Sequence, residues 1–279
     1  MKAGNLTVEA LDATFGAQVR GVHLADIDAP TFVELYAAWL EYGLLIFSGQ
    51  FLSHDQQIAF ARRFGELEFE IAALSNVLPN GELRADDATD DVIKVLKGNM
   101  AWHHDSTFMP VQAKGAVFSA EIVSRDGGAT GFADMRAAYD ALDKDTSARI
   151  ENLRAHHSLY HSQAKVGHHG QRGSHQSKPE LSDRYSGYGF HDGPISLRPL
   201  VKRHPETGRK NLLVGRHAYD VIGLSERESA TLLSELMDFA CQAPRIYHHQ
   251  WSAGDTVVWD NRRLMHQAPP SQLTQPRVM

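Results

Sequence analysis

Two short stretches of this sequence hold side chains of the right kinds to bind a metal: "AWHHDSTF" at 101–108 and "DTVVWDNRRLMHQA" at 255–268. In extended backbone, alternate side chains share a face, so His103 and Asp105 can bind one ion while His104 points away. A third ligand, His266, follows a buried strand and a turn at Asp260 and Asn261. Two histidines and one carboxylate on one face of an octahedron leave three positions open, which suits the non-heme Fe(II) oxygenases. Zinc more often takes three protein ligands and one water, and spacing alone leaves it open. The chain has 16 histidines, so a single one carries little weight. The pairs His156/His157, His168/His169 and His248/His249 read as lid or surface residues, because an octahedral site needs no more than three protein ligands. For His104 the reading is a hydrogen bond behind the ligands or plain exposure.

The elements that must position these residues can be read from periodicity. "LTVEAL" and "AQVRGVHL" alternate like short strands, and "APTFVELYAAWLEYG" has helical spacing with Gly43 as its stop. "LLIFSG" is a buried strand, followed by a helix that Ser53 caps together with Gln56 and that ends at Gly65. Further strands are expected at "GAVFSAEIVS" and "GGATGFADM", then one helix over "RAAYDALDKDTSARIENL". "LRPLVKRH", "NLLVGRHAYDVI", "RIYHHQW", "AGDTVVWD" and "RRLMHQAPP" complete the strands, with a helix at "SERESATLLSELMDFACQ". The segments 78–91 and 156–191 lack periodicity and read as mobile loops or a lid. With no internal repeat, residues 1–279 form one domain with a mainly β core and peripheral helices.

Bulk properties narrow the class of function. A 31.0 kDa chain with 42% hydrophobic residues can bury a sizeable core. Its net charge of −6 and the lack of a basic run argue against nucleic acid or an anionic membrane as partner, leaving a small molecule. The single Cys241 excludes a disulfide framework and fits the cytoplasm. No signal pattern opens the chain, and no apolar run approaches the length of a spanning helix.

The order "WHHDSTF", Thr130 in "GGATGF", "WDNRRLMH" and Arg277 resembles the taurine dioxygenase/2,4-dichlorophenoxyacetate dioxygenase family of Fe(II)/2-oxoglutarate-dependent dioxygenases. "YGLLIFSGQFLSHDQQIAFARRFG", "GFADMRAAYDAL" and "RPLVKRHPETGRKNLLVGRHA" extend the likeness over nearly the whole chain. "GNMAWHHDSTFMPVQAKGAVFSAE" and "CQAPRIYHHQW" resemble most the (S)-phenoxypropionate (dichlorprop) dioxygenase type. The resemblance implies a double-stranded β-helix, or jelly roll with a cupin-like core. It also implies iron on His103, Asp105 and His266, the distal carboxylate of 2-oxoglutarate on Thr130 and Arg277, and O2 as the other cosubstrate. The keto acid would be oxidised to succinate and CO2 as the substrate is hydroxylated. Next to an ether oxygen that hydroxylation splits the bond, so an aryloxypropionate would yield a phenol and pyruvate. Homo-oligomers are common in the family.

Substrate contacts are less legible. Asn99 matches a substrate-side position of the family and equally suits a turn. Ser75, Asn76 and Lys94 could reach the same pocket, and Arg216 and His217 resemble a substrate-facing strand. The family commonly places a further arginine beyond the one that binds 2-oxoglutarate. Here the sequence stops at "PRVM", so it is expected either to be truncated or to anchor its substrate otherwise. Taurine or alkylsulfonate dioxygenase and alkylsulfatase are the alternatives within this chemistry. A non-catalytic jelly-roll binding protein or a zinc hydrolase is the alternative outside it.

Overall fold

In strand β3 (Leu44–Phe47) every residue is buried, and alternation divides the strand between two cores. Leu45 and Phe47 face Leu35 and Trp39 of helix α1 (Ala29–Tyr42) and Phe60 of helix α2 (His54–Arg62). Leu44 and Ile46 face the opposite way, toward Phe132, Val257, Trp259 and Leu264. That second core is the space in which the candidate metal ligands lie. The computed structural model describes residues 6–78, 80–85, 93, 97–98, 100–125, 128–167, 189, 191, 193–268 and 275–279.

The strand β3 belongs to a five-stranded sheet in the order β1-β2-β3-β12-β4, with β1 at Thr7–Ala10, β2 at Ala17–Arg20, β12 at Thr256–Asp260 and β4 at Gly115–Ser119. Its pairings are antiparallel except β2 with β3. Across the second core stands a three-stranded sheet, β11-β5-β13, with β11 at Ile246–His249, β5 at Thr130–Asp134 and β13 at Leu264–Gln267. A third sheet, β10-β6-β7, combines Ala218–Val221, Arg154–His157 and Ser196–Pro199. Strands β8 (Val201–Arg203) and β9 (Lys210–Leu212) form a separate ribbon. This is the expected mainly β jelly roll with helices outside, although among the described residues its sheets do not join into a closed barrel.

Local signals hold where they are strongest. Gly43 ends α1 at φ 76°, a conformation that costs glycine little. Ser53 and Gln56 form the reciprocal cap of α2.

Several expectations need correction. The single helix expected after β5 is two, α3 (Met135–Asp140) and α4 (Lys144–Ile150), because Asp143 turns extended and accepts from Thr146 N to start a new helix. "LRPLVKRH" is likewise two strands, β7 and β8. Pro199 has no N–H to continue a ladder, and buried Leu200 makes its own bonds to Leu153 and Leu213. "NLLVGRHAYDVI" breaks between β9 and β10 at Gly215, whose φ of 132° suits only glycine.

The expected loop 156–191 is ordered at its start. His156 and His157 end β6, and helix α5 (Leu159–Ala164) follows under the cap of Ser158. His157 is buried, not a surface residue, and so is His249. Residues 168–188, with His168 and His169, lie outside the described residues. In the other expected loop, Val77 bridges Leu83 around a turn closed by Leu78 and Glu82, and 86–91 lie outside the described residues. Helix α6 (Glu226–Ala240) packs its apolar stripe on the core beneath β10.

Candidate active site

His103 and His266 meet because backbone pairing sets them directly opposite one another. His103 N donates to His266 O at 3.0 Å, and His266 N donates to His103 O at 2.8 Å. Cross-strand partners of this kind project side by side, and the two imidazole centroids lie 4.3 Å apart. His266 stands on β13 opposite Phe132, sharing the inner face with Leu264, and the indole of Trp259 lies 4.9 Å from its ring.

Asp105 reaches the pair by a different route from the one its spacing suggested. The backbone after His103 is a turn rather than a strand, and Ser106 takes a left-handed φ of 57°. Asn261 fixes this turn. Its Oδ1 accepts from Asp105 N at 2.8 Å, while its Nδ2 donates to Asp105 O and to Ala113 O. His104 turns away, buried, and its Nδ1 donates to Asn261 O at 2.8 Å, so of the two expected roles it has the hydrogen bond and not exposure.

Donor atoms of His103, Asp105 and His266 all lie within 4.8 Å of one another. The two carboxylate oxygens of Asp105 stand 3.7 Å from His103 Nε2 and 3.6 Å from His266 Nε2, too far for hydrogen bonds. His103 Nδ1 donates to Ala101 O at 2.7 Å, which leaves the Nε2 lone pair facing the carboxylate. Burial, and secondarily His266, pushes His103 down to about 3, and burial with His104 nearby does the same to His266. Both rings are therefore neutral near pH 7, the form that binds metal. Burial also raises Asp105, because its charge lacks a close partner. A divalent cation among these atoms would satisfy all three groups, so the residues fit the metal that their types suggest.

Thr130 opens β5, is buried, and accepts a 2.9 Å hydrogen bond from Trp251 Nε1. Arg277 comes from the far end of the chain. Val278 pairs with both Ser75 and Ile122, and Asn76 secures the same segment, its Oδ1 accepting from Arg277 N and its Nδ2 donating to Gln275 O. The guanidinium approaches the Thr130 end of β5: a Cβ built on Gly128 would stand 3.8 Å from Arg277 Nε. Burial lowers the Arg277 pKa, and among the described residues no carboxylate pairs with it. An unpaired, half-buried guanidinium is an open position for an anion.

The remaining expected contacts separate. His217 is buried, and its ring lies 5.9 Å from that of His103 and 4.8 Å from that of Phe108. Ser162 gives its own proton to Leu159 O, so His217 Nδ1 donates to Ser162 Oγ at 2.8 Å. Arg216 spends its guanidinium on Gly98 O and Ser162 O. Ser75 and Asn76 are occupied with the terminal segment and their own turn. Lys94 and Asn99 lie outside the described residues. Sequence reasoning missed Asn261 and Gly215 as site-building residues. Asn261 showed only as a turn residue, and Gly215 only as a glycine inside a strand-like run.

Known proteins resemble this chain over nearly its whole length. The description "Taurine catabolism dioxygenase TauD, TfdA family" matches residues 7–279. The (S)-phenoxypropionate/alpha-ketoglutarate-dioxygenase of Sphingobium herbicidovorans is 63% identical over 272 residues, covering 98% of this chain and 92% of that protein. The protein of the same name from Delftia acidovorans is 54% identical over 280 residues, covering 98% of this chain and 93% of its own. A solved structure, AAD-2 in complex with Mn(II) and N-oxalylglycine, superimposes with a TM-score of 0.87 at 35% identity, covering 98% of this chain and 94% of that one.

Proposed function

The chain belongs to the TauD, TfdA family of taurine catabolism dioxygenases, and on that premise we propose that it cleaves the ether bond of a small aryloxyalkanoate of the phenoxypropionate kind. It is an oxidoreductase, an alpha-ketoglutarate-dependent dioxygenase that uses Fe(II), 2-oxoglutarate and O2. The observation that carries the substrate reading is the 63% identity to an enzyme named for (S)-phenoxypropionate.

When bound, iron with 2-oxoglutarate and O2 supplies the oxidation, turning the keto acid into succinate and CO2 while one oxygen atom goes to the substrate. His103, Asp105 and His266 would hold the iron, two neutral imidazoles and one carboxylate being a donor set that suits Fe(II). Thr130 and Arg277 would take the distal carboxylate of 2-oxoglutarate, Arg277 through the paired N–H groups of its fork. Phe132 and Trp259 line the inner face around His266 and exclude water from the reacting atoms. His217, beside His103 and packed on Phe108, faces the substrate side, where its Nδ1 hydrogen bond to Ser162 Oγ fixes the ring as one wall of the pocket. Ser75, Asn76 and Arg216 serve this reading indirectly, holding the segments that carry Arg277 and His217.

Hydroxylation at the carbon bearing the aryloxy group would give a product that collapses to a phenol and pyruvate. The test is incubation of the Fe(II)-loaded protein with 2-oxoglutarate and (S)-2-phenoxypropionate, measuring phenol and succinate together. Equal release supports the reading. Succinate coupled instead to taurine or an alkyl sulfate, with no phenol, would replace it with the sulfonate or sulfate-ester alternative.

No helix among the described residues is long and apolar enough to cross a membrane. The same reading places the enzyme in the cytoplasm as a homo-oligomer whose partner is a small molecule rather than nucleic acid or membrane, and light scattering checks its assembly.

A further inference from the structure

We propose that Trp251 is a positioning residue for the keto-acid cosubstrate: its indole N–H fixes the hydroxyl of Thr130 so that the hydroxyl proton points at the carboxylate held by Arg277. The inference deepens the reading in which Thr130 and Arg277 bind 2-oxoglutarate.

An indole N–H can only donate, so the 2.9 Å contact from Trp251 Nε1 makes Thr130 Oγ1 the acceptor. A threonine hydroxyl has one proton and two lone pairs. With one lone pair turned to Trp251, the proton cannot occupy that direction and must point along one of the two remaining staggered positions. Among the described residues no acceptor receives it, although Thr130 is only 5% exposed. A buried hydroxyl with an unused proton lacks an acceptor, and a carboxylate is an acceptor-only group.

Trp251 is itself held rigidly. It lies in the connection between β11 and β12, with the ring of Phe118 edge-on at 5.5 Å and that of His249 edge-on at 4.6 Å. His249 pairs with Thr130 across β11 and β5, and its Nε2 lies 3.2 Å from the Asp255 carboxylate. The indole therefore has one orientation, and it confines the hydroxyl proton to the two positions that remain. A hydroxyl already turned toward its ligand loses less freedom on binding, so Trp251 raises cosubstrate affinity without touching the cosubstrate.

Titration calorimetry of N-oxalylglycine into the Mn(II)-loaded protein reads this directly. Trp251→Phe keeps the ring contacts and removes the donor, and it should weaken binding about fivefold, the scale of one hydrogen bond. Thr130→Ala should weaken binding at least as much, and adding Trp251→Phe to Thr130→Ala should cost nothing more. Thr130→Ser, which keeps the hydroxyl, should restore the dependence on Trp251. In turnover, Trp251→Phe should raise KM for 2-oxoglutarate while leaving kcat and the KM of the organic substrate in place.

Unchanged binding in Trp251→Phe overturns the inference. So does a loss that persists undiminished in the Thr130→Ala background, which would mark a packing role. If Thr130→Ala and Arg277→Ala both bind the analogue as the unaltered protein does, the 2-oxoglutarate reading of these residues fails as well. Should Trp251→Phe not fold, β-(3-benzothienyl)alanine at position 251 has the shape of the indole without its N–H and makes the same comparison.

Discussion

The side-chain amide of Asn261 clamps the backbone of Asp105, accepting from its N–H at 2.8 Å and donating to its carbonyl at 3.0 Å. One fully buried amide thus ties the β12–β13 turn to the turn that carries the carboxylate ligand, and the backbone carbonyl of the same residue accepts from His104 Nδ1. Asn261→Asp has the same shape but cannot donate, so it sets carboxylate oxygens against Asp105 O and Ala113 O. Residues that support metal ligands in this way typically tune affinity by about 10- to 100-fold. Asn261→Asp should weaken Mn(II) binding within that range, and Mn(II) titration followed by electron paramagnetic resonance measures it. Affinity equal to that of the unaltered protein would show that the Asp105 turn holds itself.

Gly215 is positioned to transmit its backbone geometry to His103. At φ 132° it occupies a region closed to other residues, and a Cβ there would lie 3.4 Å from His103 Cα and from Met265 Sδ. Gly215→Ala should cost about 1–3 kcal/mol of stability from backbone strain and lower metal affinity with it. Urea denaturation with and without Mn(II) separates the two effects. A smaller gain from Mn(II) than in the unaltered protein indicates a displaced ligand.

Asp260 predicts an acid limit to stability. Burial by itself would raise its carboxyl, but hydrogen bonds from Arg262 and His204 outweigh that and hold it below the usual range. For a carboxyl depressed in the folded state, the stabilisation is complete above the unfolded value of about 4 and disappears as pH falls through the lower folded value. Asp260→Asn should therefore be less stable at neutral pH, with the difference from the unaltered protein narrowing as pH falls from about 5 through the lowered folded value. Urea midpoints of the two proteins over that window give the answer, and parallel curves would contradict it.

Arg277 offers a fork and not merely a charge. Arg277→Lys keeps the cation but loses the paired donors, and the two are not equivalent at a carboxylate. KM for 2-oxoglutarate should rise about tenfold, the size of one charge-assisted hydrogen bond. An unchanged KM would assign the carboxylate to another group.

Much of the candidate site was legible in the sequence because its chemistry resides in residue types. His103, Asp105, Thr130, His266 and Arg277 stand in short stretches whose order resembles one family, and the strands and caps that carry them follow from alternation and capping, which act within a few residues. The continuous apolar run "LLIF" and the Ser53–Gln56 cap have that local character. The halves of "LRPLVKRH" look alike from inside that stretch, yet they belong to different sheets.

What the sequence by itself determined, then, was which residues could bind metal and keto acid, and in what kind of β fold. Only the tertiary structure decided how they meet. His103 and His266 are brought together by cross-strand register, and Asp105 by the Asn261 clamp. Arg277 is placed by pairing with Ser75 and Ile122, and Thr130 is oriented by Trp251. Each is a hydrogen bond between residues far apart in the chain. Local spacing carries no signal for such contacts, since their partners are selected by the packing of whole sheets.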